Sequence, residues 1–199
     1  MNFFKFRKLK KEIVPIIRSG GVGVLPTDTL YGLVGSALSE KVVERIYKIR
    51  KRDPEKPCII LIGSVADLGL FGIELSAEQE KVLQKVWPGK VSVILDCGRG
   101  NLAYLHRGTY SLALRLPKAE WLRKFLSLTG PLIAPSANFE GTEPALTVDE
   151  AREYFAEEVD FYVNLGKLSS QPSSVIKLEE NGDVSLLRGN AEEMAIRLK

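Results

Sequence analysis

The chain has 199 residues, 45% hydrophobic and 27% charged, with a net charge of +3 and an isoelectric point near 8.8. Such a composition excludes a disordered, collagenous or disulfide-framed chain and leaves a globular protein long enough to bury one sizeable core. The mild positive charge permits anionic partners, nucleotide or RNA, without demanding them, and no apolar run approaches the roughly 18 residues of a membrane span. Cys58 and Cys97 each lie in apolar sequence and read as buried free thiols of a reducing, cytoplasmic setting. The basic N-terminal stretch lacks the apolar block and cleavage site of a signal peptide.

Leu9, Ile13, Ile16 and Ile17 recur at helical spacing and predict a helix over 4–18, kinked at Pro15, which has no N–H to give. Two glycines end it, and 22–25 reads as a buried strand that Pro26 terminates. Thr27, Asp28, Thr29 and Tyr31 then form a hydroxyl-rich loop. Ligand sites concentrate at such strand ends, although the same residues could equally serve the backbone of the turn. Ser39 is placed to cap a helix bearing Val42, Val43, Ile46 and Ile49 on one face, and Pro54 stops it. Residues 58–62 read as a strand. Ser76 and Gln79 have capping-box spacing before a helix to Trp87, and 91–95 is a further strand. The polar stretch 98–108 predicts an exposed loop.

In 111–116, Leu112, Leu114 and Leu116 share one face while Ser111, Ala113 and Arg115 share the other. A helix around Trp121–Leu126 ends near Gly130, and a short strand over 131–134 feeds Pro135-Ser136-Ala137-Asn138. Thr147 and Glu150 repeat the capping-box spacing before a helix to Phe155. Strands follow at 161–163 and 174–178, Asn181-Gly182 turns the chain into a strand over 184–187, and a short helix ends it. Helices and strands intermix without a strict repeat. This predicts one α/β domain over 1–199, with an open, twisted, mixed sheet and flanking helices.

Familiar catalytic patterns are missing. No glycine-rich stretch ends in Gly-Lys-Ser/Thr, Gly21-x-Gly23 lacks the third glycine of a dinucleotide fingerprint, and two Cys with one His cannot build a zinc site. The lone His106 reads as a solvated loop residue. What remains is a set of cations and neutral donors. Arg50, Lys51, Arg52 and Lys56 crowd one helix end, Arg115 projects from a polar strand face, and Arg188 ends a strand. Ser136, Asn138, Ser173 and Ser174 flank other strand ends. Such a set suits a polyphosphate and a carboxylate, with chemistry by positioning and electrostatic stabilisation. Plainer readings stand beside it: the basic run as a solvated helix face, and Ser136 and Asn138 as turn formers. Arg115 resists such a reading, because a cation on a sheet face needs a partner or a ligand.

In chain order the sequence carries Pro26-Thr27-Asp28-Thr29-x-Tyr31-Gly32-Leu33, Arg52-Asp53-Pro54-x-Lys56-Pro57 and Trp87-Pro88-Gly89. Leu114-Arg115-Leu116-Pro117, Ala134-Pro135-Ser136-Ala137-Asn138-x-x-Gly141 and Leu187-Arg188-Gly189 follow. Together these resemble the YrdC-type threonylcarbamoyl-AMP synthases over nearly the whole length, in their single-domain form. The resemblance implies a YrdC-like open twisted sheet around a basic cavity. It implies synthesis of threonylcarbamoyl-AMP and pyrophosphate from L-threonine, bicarbonate and ATP, with Mg2+ accompanying ATP. The product would serve a tRNA-modifying threonylcarbamoyl transferase complex. By motif, Thr29, Arg115, Ser136 and Ser173 would hold threonine, with Tyr31 shaping that pocket. Arg50, Arg52, Lys56, Asn138 and Arg188 would hold the nucleotide with Ser111 beside it, Arg52 and Lys56 acting in catalysis. Members often carry Lys in place of Arg50, and Ser in place of Glu140. The rival reading is a basic module that binds tRNA or double-stranded RNA through phosphates without catalysis. A carbamoyl-transferring maturation protein of the same fold class is a further alternative.

Overall fold

The computed structural model describes residues 3–98, 100, 102–168 and 171–198. Residues 99 and 101 of the expected loop, and 169–170 ahead of Ser173, lie outside that set. Among the described residues nine strands form one mixed sheet in the order β7-β1-β2-β6-β3-β5-β4-β8-β9, as the irregular alternation of elements implied. The strands are β1 (Gly23–Pro26), β2 (Tyr31–Ser36), β3 (Ile60–Leu61), β4 (Val91–Asp96), β5 (Ser111–Arg115), β6 (Leu132–Ile133), β7 (Phe161–Tyr162), β8 (Ser174–Leu178) and β9 (Val184–Arg188). The helices are α1 (Phe3–Arg18), α2 (Glu40–Arg50), α3 (Ala77–Val86), α4 (Ala103–His106), α5 (Glu120–Thr129), α6 (Val148–Phe155) and α7 (Ala191–Leu198). None of them is long and apolar enough to cross a membrane.

The sheet divides the core in two. On one side Leu9, Val14 and Ile17 of α1 pack with Leu122, Phe125 and Leu126 of α5 over Leu25 and Val34. On the other, Val42, Val43 and Ile46 of α2 and Phe155 of α6 cover Val24 and Leu33. Adjacent residues of one strand thus feed opposite cores, the period-two rule at work in a sheet buried on both faces. Helix α1 continues through Pro15 to Arg18, whose Nε donates to Leu128 O at 2.8 Å.

Several expectations give way. Only 27–30 is a turn; 31–36 is strand β2, antiparallel to β1 with Gly23 opposite Val34 and Pro26 opposite Tyr31. Glycines 32 and 35 hid that strand from a pattern reading. Gly35 is needed there because a Cβ would stand 2.4 Å from Val42 Cγ1. Helix α2 ends at Arg50, four residues ahead of Pro54, because Lys51 adopts the left-handed conformation (φ 51°) and closes the helix through its N–H to Lys48 O. Ser39 begins that helix without a side-chain cap. The expected strand over 58–62 keeps only Ile60–Leu61 in register. The Ser76/Gln79 box forms in full. The Thr147/Glu150 pair forms by half, since the Glu150 carboxylate accepts from Leu146 N at 2.7 Å instead. A 3-10 helix over Val65–Phe71 was not foreseen.

The expected exposed loop contains α4, and His106 is 4% exposed rather than solvated. Its ring lies 5.0 Å from that of Tyr110, and Nδ1 accepts from Gly108 N at 3.1 Å. Leu105 pulls the segment inward, which single-residue polarity did not reveal.

Gly23 makes a sharp stability test. A Cβ there would meet Phe161 O and Cγ at 2.5 Å, backbone of the neighbouring parallel strand included. Gly23→Ala is expected to destabilise the fold by about 1–3 kcal/mol, read as a lowered thermal midpoint. An unchanged midpoint would show that β1 and β7 can separate freely.

Candidate active site

Above the centre of the sheet lies a cavity of about 560 Å³. Its floor is the polar face of β5 (Ser111, Ala113, Arg115) with Ile94 of β4 and Val175 of β8. The β1–β2 turn supplies one wall through Thr27, Thr29 and Leu30. The chain after α2 (Arg52, Pro57, Cys58) and the 134–138 segment supply the other, and Ser173 and Arg188 complete the lining. The alternation in β5 turns Arg115 into the cavity, and the turn after β1 lifts Thr29 to meet it.

At the turn, both readings of the hydroxyl loop are realised. Thr27 Oγ1 accepts from the N–H groups of Thr29 and Leu30 (3.1 and 3.2 Å) and donates to Leu30 O at 2.7 Å, so it serves the turn. Thr29 Oγ1 accepts from Arg115 Nη1 at 3.0 Å. Arg115 is 4% exposed, with Asp28 Oδ1 at 3.3 Å from Nη1 and its Nε buried without a hydrogen-bond partner. Burial lowers its pKa, Asp28 opposes that, and Arg188 adds to it. Asp28 Oδ2 accepts from Lys118 N at 2.7 Å, fixing the chain that leaves β5. A desolvated guanidinium with an open N–H is a receptor for a carboxylate. Tyr31 is fully buried and lines the same cavity. Its hydroxyl donates to Gly166 O (2.7 Å) and accepts from Leu165 N (3.3 Å), and burial raises its pKa.

The other end is organised by Arg50, 5% exposed. Its Nε donates to Ser136 O (2.9 Å), and Nη2 donates to Ser136 Oγ (3.0 Å) and Asn138 Oδ1 (3.2 Å). Nη1 is buried without a partner. Burial and neighbouring Arg52 lower the Arg50 pKa. Asn138 lines the cavity, but its amide donates to Phe139 O and Thr142 O, both at 2.7 Å, so it acts as a strut of its own turn. Arg52 holds Lys56 O (3.0 Å) and Pro57 O (2.9 Å) while reaching the cavity wall. Arg188 donates through Nε and Nη2 to Ser173 O at 3.1 and 2.9 Å. Ser111 Oγ lies 3.3 Å from Thr109 Oγ1, and both line the cavity.

Lys56 is the sequence candidate that the fold does not bring into the wall. Its side chain is 60% exposed, with Nζ 3.2 Å from Glu140 Oε1 and 3.3 Å from Asp53 Oδ2. These carboxylates raise the lysine pKa, Glu140 first. Glu140 Oε2 also accepts from Asp53 N at 2.6 Å. Lys56→Ala is expected to lower activity by less than about tenfold, since exposed pairs contribute little; a loss comparable to that of a wall arginine would show that Lys56 swings inward with substrate.

Sequence reasoning passed over Thr109, Asp28 as an arginine partner, and Ser92, a fully buried hydroxyl 2.9 Å from Ser173 Oγ. The signal for Ser92 was a lone polar residue in the apolar run Val91–Leu95. Among the described residues no carboxylate lines the cavity, and no cluster of His, Cys, Asp and Glu could hold a metal. Four arginines line the cavity, and among the described residues only Arg115 has a carboxylate beside it, Asp28 behind the wall; the lining itself is a site for anions.

Residues 15–189 match the Sua5/YciO/YrdC family profile, described as telomere recombination. A putative threonylcarbamoyl-AMP synthase of Methanocaldococcus jannaschii is 32% identical over 182 residues, covering 91% of this chain and 84% of its own. The threonylcarbamoyl-AMP synthase of Pyrococcus abyssi is 31% identical over 175 residues; the match takes in 87% of this chain but 52%, about half, of that protein. Among solved structures, P. abyssi Sua5 complexed with L-threonine superposes with a TM-score of 0.87 at 29% identity, over 97% of this chain and 58% of that one. E. coli YciO, at 22% identity and a TM-score of 0.80, shares the fold. With the profile spanning nearly the whole sequence and curated relatives above 30% identity, the chain belongs to the Sua5/YciO/YrdC family.

Proposed function

We propose that this protein makes threonylcarbamoyl-AMP, with release of pyrophosphate, from L-threonine, bicarbonate and ATP. The observation that carries the reading is the cavity itself. A buried arginine with an open N–H stands at one end, and three further arginines line a space that holds no carboxylate among the described residues. Curated relatives bearing the synthase name, and a similar structure solved with L-threonine, support an enzyme over an RNA-binding module without chemistry.

The threonine carboxylate would bind the open Nε–H of Arg115 and the adjacent Nη2, with Thr29, Ser136 and Ser173 around the amine and hydroxyl and Tyr31 shaping the pocket. Amine and bicarbonate condense to a carbamate with loss of water. A carbamate oxygen then forms a bond to the α-phosphorus of ATP while the bond from that phosphorus to the bridging oxygen breaks, and pyrophosphate leaves. No side chain need accept or donate a proton covalently in that displacement, in keeping with a wall devoid of His, Asp and Glu among the described residues. Arg52, Arg188 and the open Nη1 of Arg50 would oppose the charge growing on the departing phosphates. The donors present do not form a resident magnesium site, so the metal is taken to arrive as part of Mg-ATP. Delivery of the product to a tRNA-modifying transferase complex in the cytoplasm, and direct contact with tRNA, belong to the same proposal.

Pyrophosphate release from Mg-ATP tests it, measured with bicarbonate, with and without L-threonine, and with serine as control. Release dependent on both threonine and bicarbonate is expected. A folded protein that releases none would overturn the reading.

A further inference from the structure

We propose that Ser92 is a positioning residue for the amino-acid substrate, acting through the hydroxyl of Ser173; this rests on the reading of the cavity given above. Ser92 lies on β4 between Val91 and Val93 and is fully buried. A hydroxyl in that position is unfavourable unless it is hydrogen-bonded, and an apolar residue would serve the core better. Among the described residues its side chain makes one hydrogen bond, to Ser173 Oγ at 2.9 Å.

The pairing of strands explains why the two meet. β4 runs parallel to β8 with Val91 opposite Ser174 and Ser92 opposite Val175, so Ser173 sits just ahead of β8 and above Ser92. On its other side β4 runs antiparallel to β5 with Val93 opposite Leu114. One step further along that register sets Ser92 beside Arg115, on the sheet face from which Ile94 enters the cavity. Ser92 therefore lies under the junction of two groups assigned to the amino acid, without lining the cavity itself.

What Ser92 does follows from hydroxyl chemistry. Two hydroxyls share two protons, and one proton forms the bond between them. Ser173 is otherwise fastened by Arg188, which grips mainly its backbone oxygen and reaches Oγ only at 3.4 Å. The Ser92 contact is therefore what turns the Ser173 hydroxyl, leaving its remaining donor or lone pair directed at the ligand. Without it the rotor is free, and a substrate group must fix it on binding. The arginine contact to the carbonyl persists, so the nucleotide end is untouched.

The experiment measures L-threonine and ATP binding by calorimetry and the two KM values by pyrophosphate release, for wild type, Ser92→Ala and Ser92→Thr. Ser92→Ala is expected to weaken threonine binding and raise its KM roughly fivefold to tenfold, with ATP binding and kcat little changed and the thermal midpoint retained. Ser92→Thr, which keeps the hydroxyl, is expected to restore threonine binding. Wild-type affinity for threonine in Ser92→Ala would overturn the proposal. So would an equal loss for threonine and ATP, or a loss that Ser92→Thr does not rescue, since each marks a merely structural serine. A wild-type protein that binds no threonine would instead overturn the function on which the inference rests.

Discussion

Replacing Arg115 with Gln is expected to abolish measurable threonine binding while the protein stays folded. The guanidinium is buried, holds Thr29 Oγ1 through Nη1, and leaves Nε without a hydrogen-bond partner. Removing one partner of a buried, hydrogen-bonded charge pair costs about 2–5 kcal/mol, so kcat/KM for threonine should fall by roughly 30-fold to several thousand-fold. Arg115→Lys sharpens the test. It keeps the charge but loses the planar fork, and it should recover little, because an ammonium cannot offer two parallel N–H groups to a carboxylate. Asp28 guards the interpretation: its Oδ2 still accepts from Lys118 N after the substitution, so the turn keeps one of its ties. Calorimetry with L-threonine, alongside a thermal melt, decides the matter. Near-normal affinity in Arg115→Lys would mean that the carboxylate is bound elsewhere.

The second large effect is expected at Arg52. Its guanidinium donates to the carbonyls of Lys56 and Pro57 and lines the cavity, with the Tyr47 ring centroid 6.0 Å away. Arg52→Ala should therefore lower stability by only about 1 kcal/mol, the net worth of ordinary hydrogen bonds. Turnover should fall by about 10²–10³, the loss typical of removing one preorganised donor from a developing negative charge. The relevant quantity is kcat for pyrophosphate release at saturating ATP and threonine. A folded Arg52→Ala protein with near-normal kcat would remove Arg52 from the reaction, leaving Arg188 and Arg50 as the phosphate-facing cations. The contrast with Lys56→Ala matters, since the two residues share one motif but only Arg52 reaches the wall.

The strands and helices were legible wherever the signal is local. Leu112, Leu114 and Leu116 announced β5, and its other face delivered Ser111 and Arg115 to the cavity as alternation requires. The Ser76/Gln79 spacing located the start of α3 to the residue. The motif order led to the family that the profile match shows. Strand β2 was missed because glycines at 32 and 35 blur a period-two pattern, Gly35 meeting a need for close approach to α2. His106 was misjudged because polarity of a stretch says nothing of which neighbour, here Leu105, draws it inward.

Composition and spacing by themselves determined a mixed α/β domain, a basic character and the residue types able to hold anions. Only the tertiary structure decided how those residues work. Arg50 grips Ser136 across 86 positions of sequence, Glu140 bolts Asp53 and Lys56 from 87 and 84 positions away, and Ser92 props Ser173 across 81. Periodicity and capping are forces between near neighbours, read over one or two turns or strands. Contacts at such separations arise from strand order and the twist of the sheet, and no spacing along the chain records them.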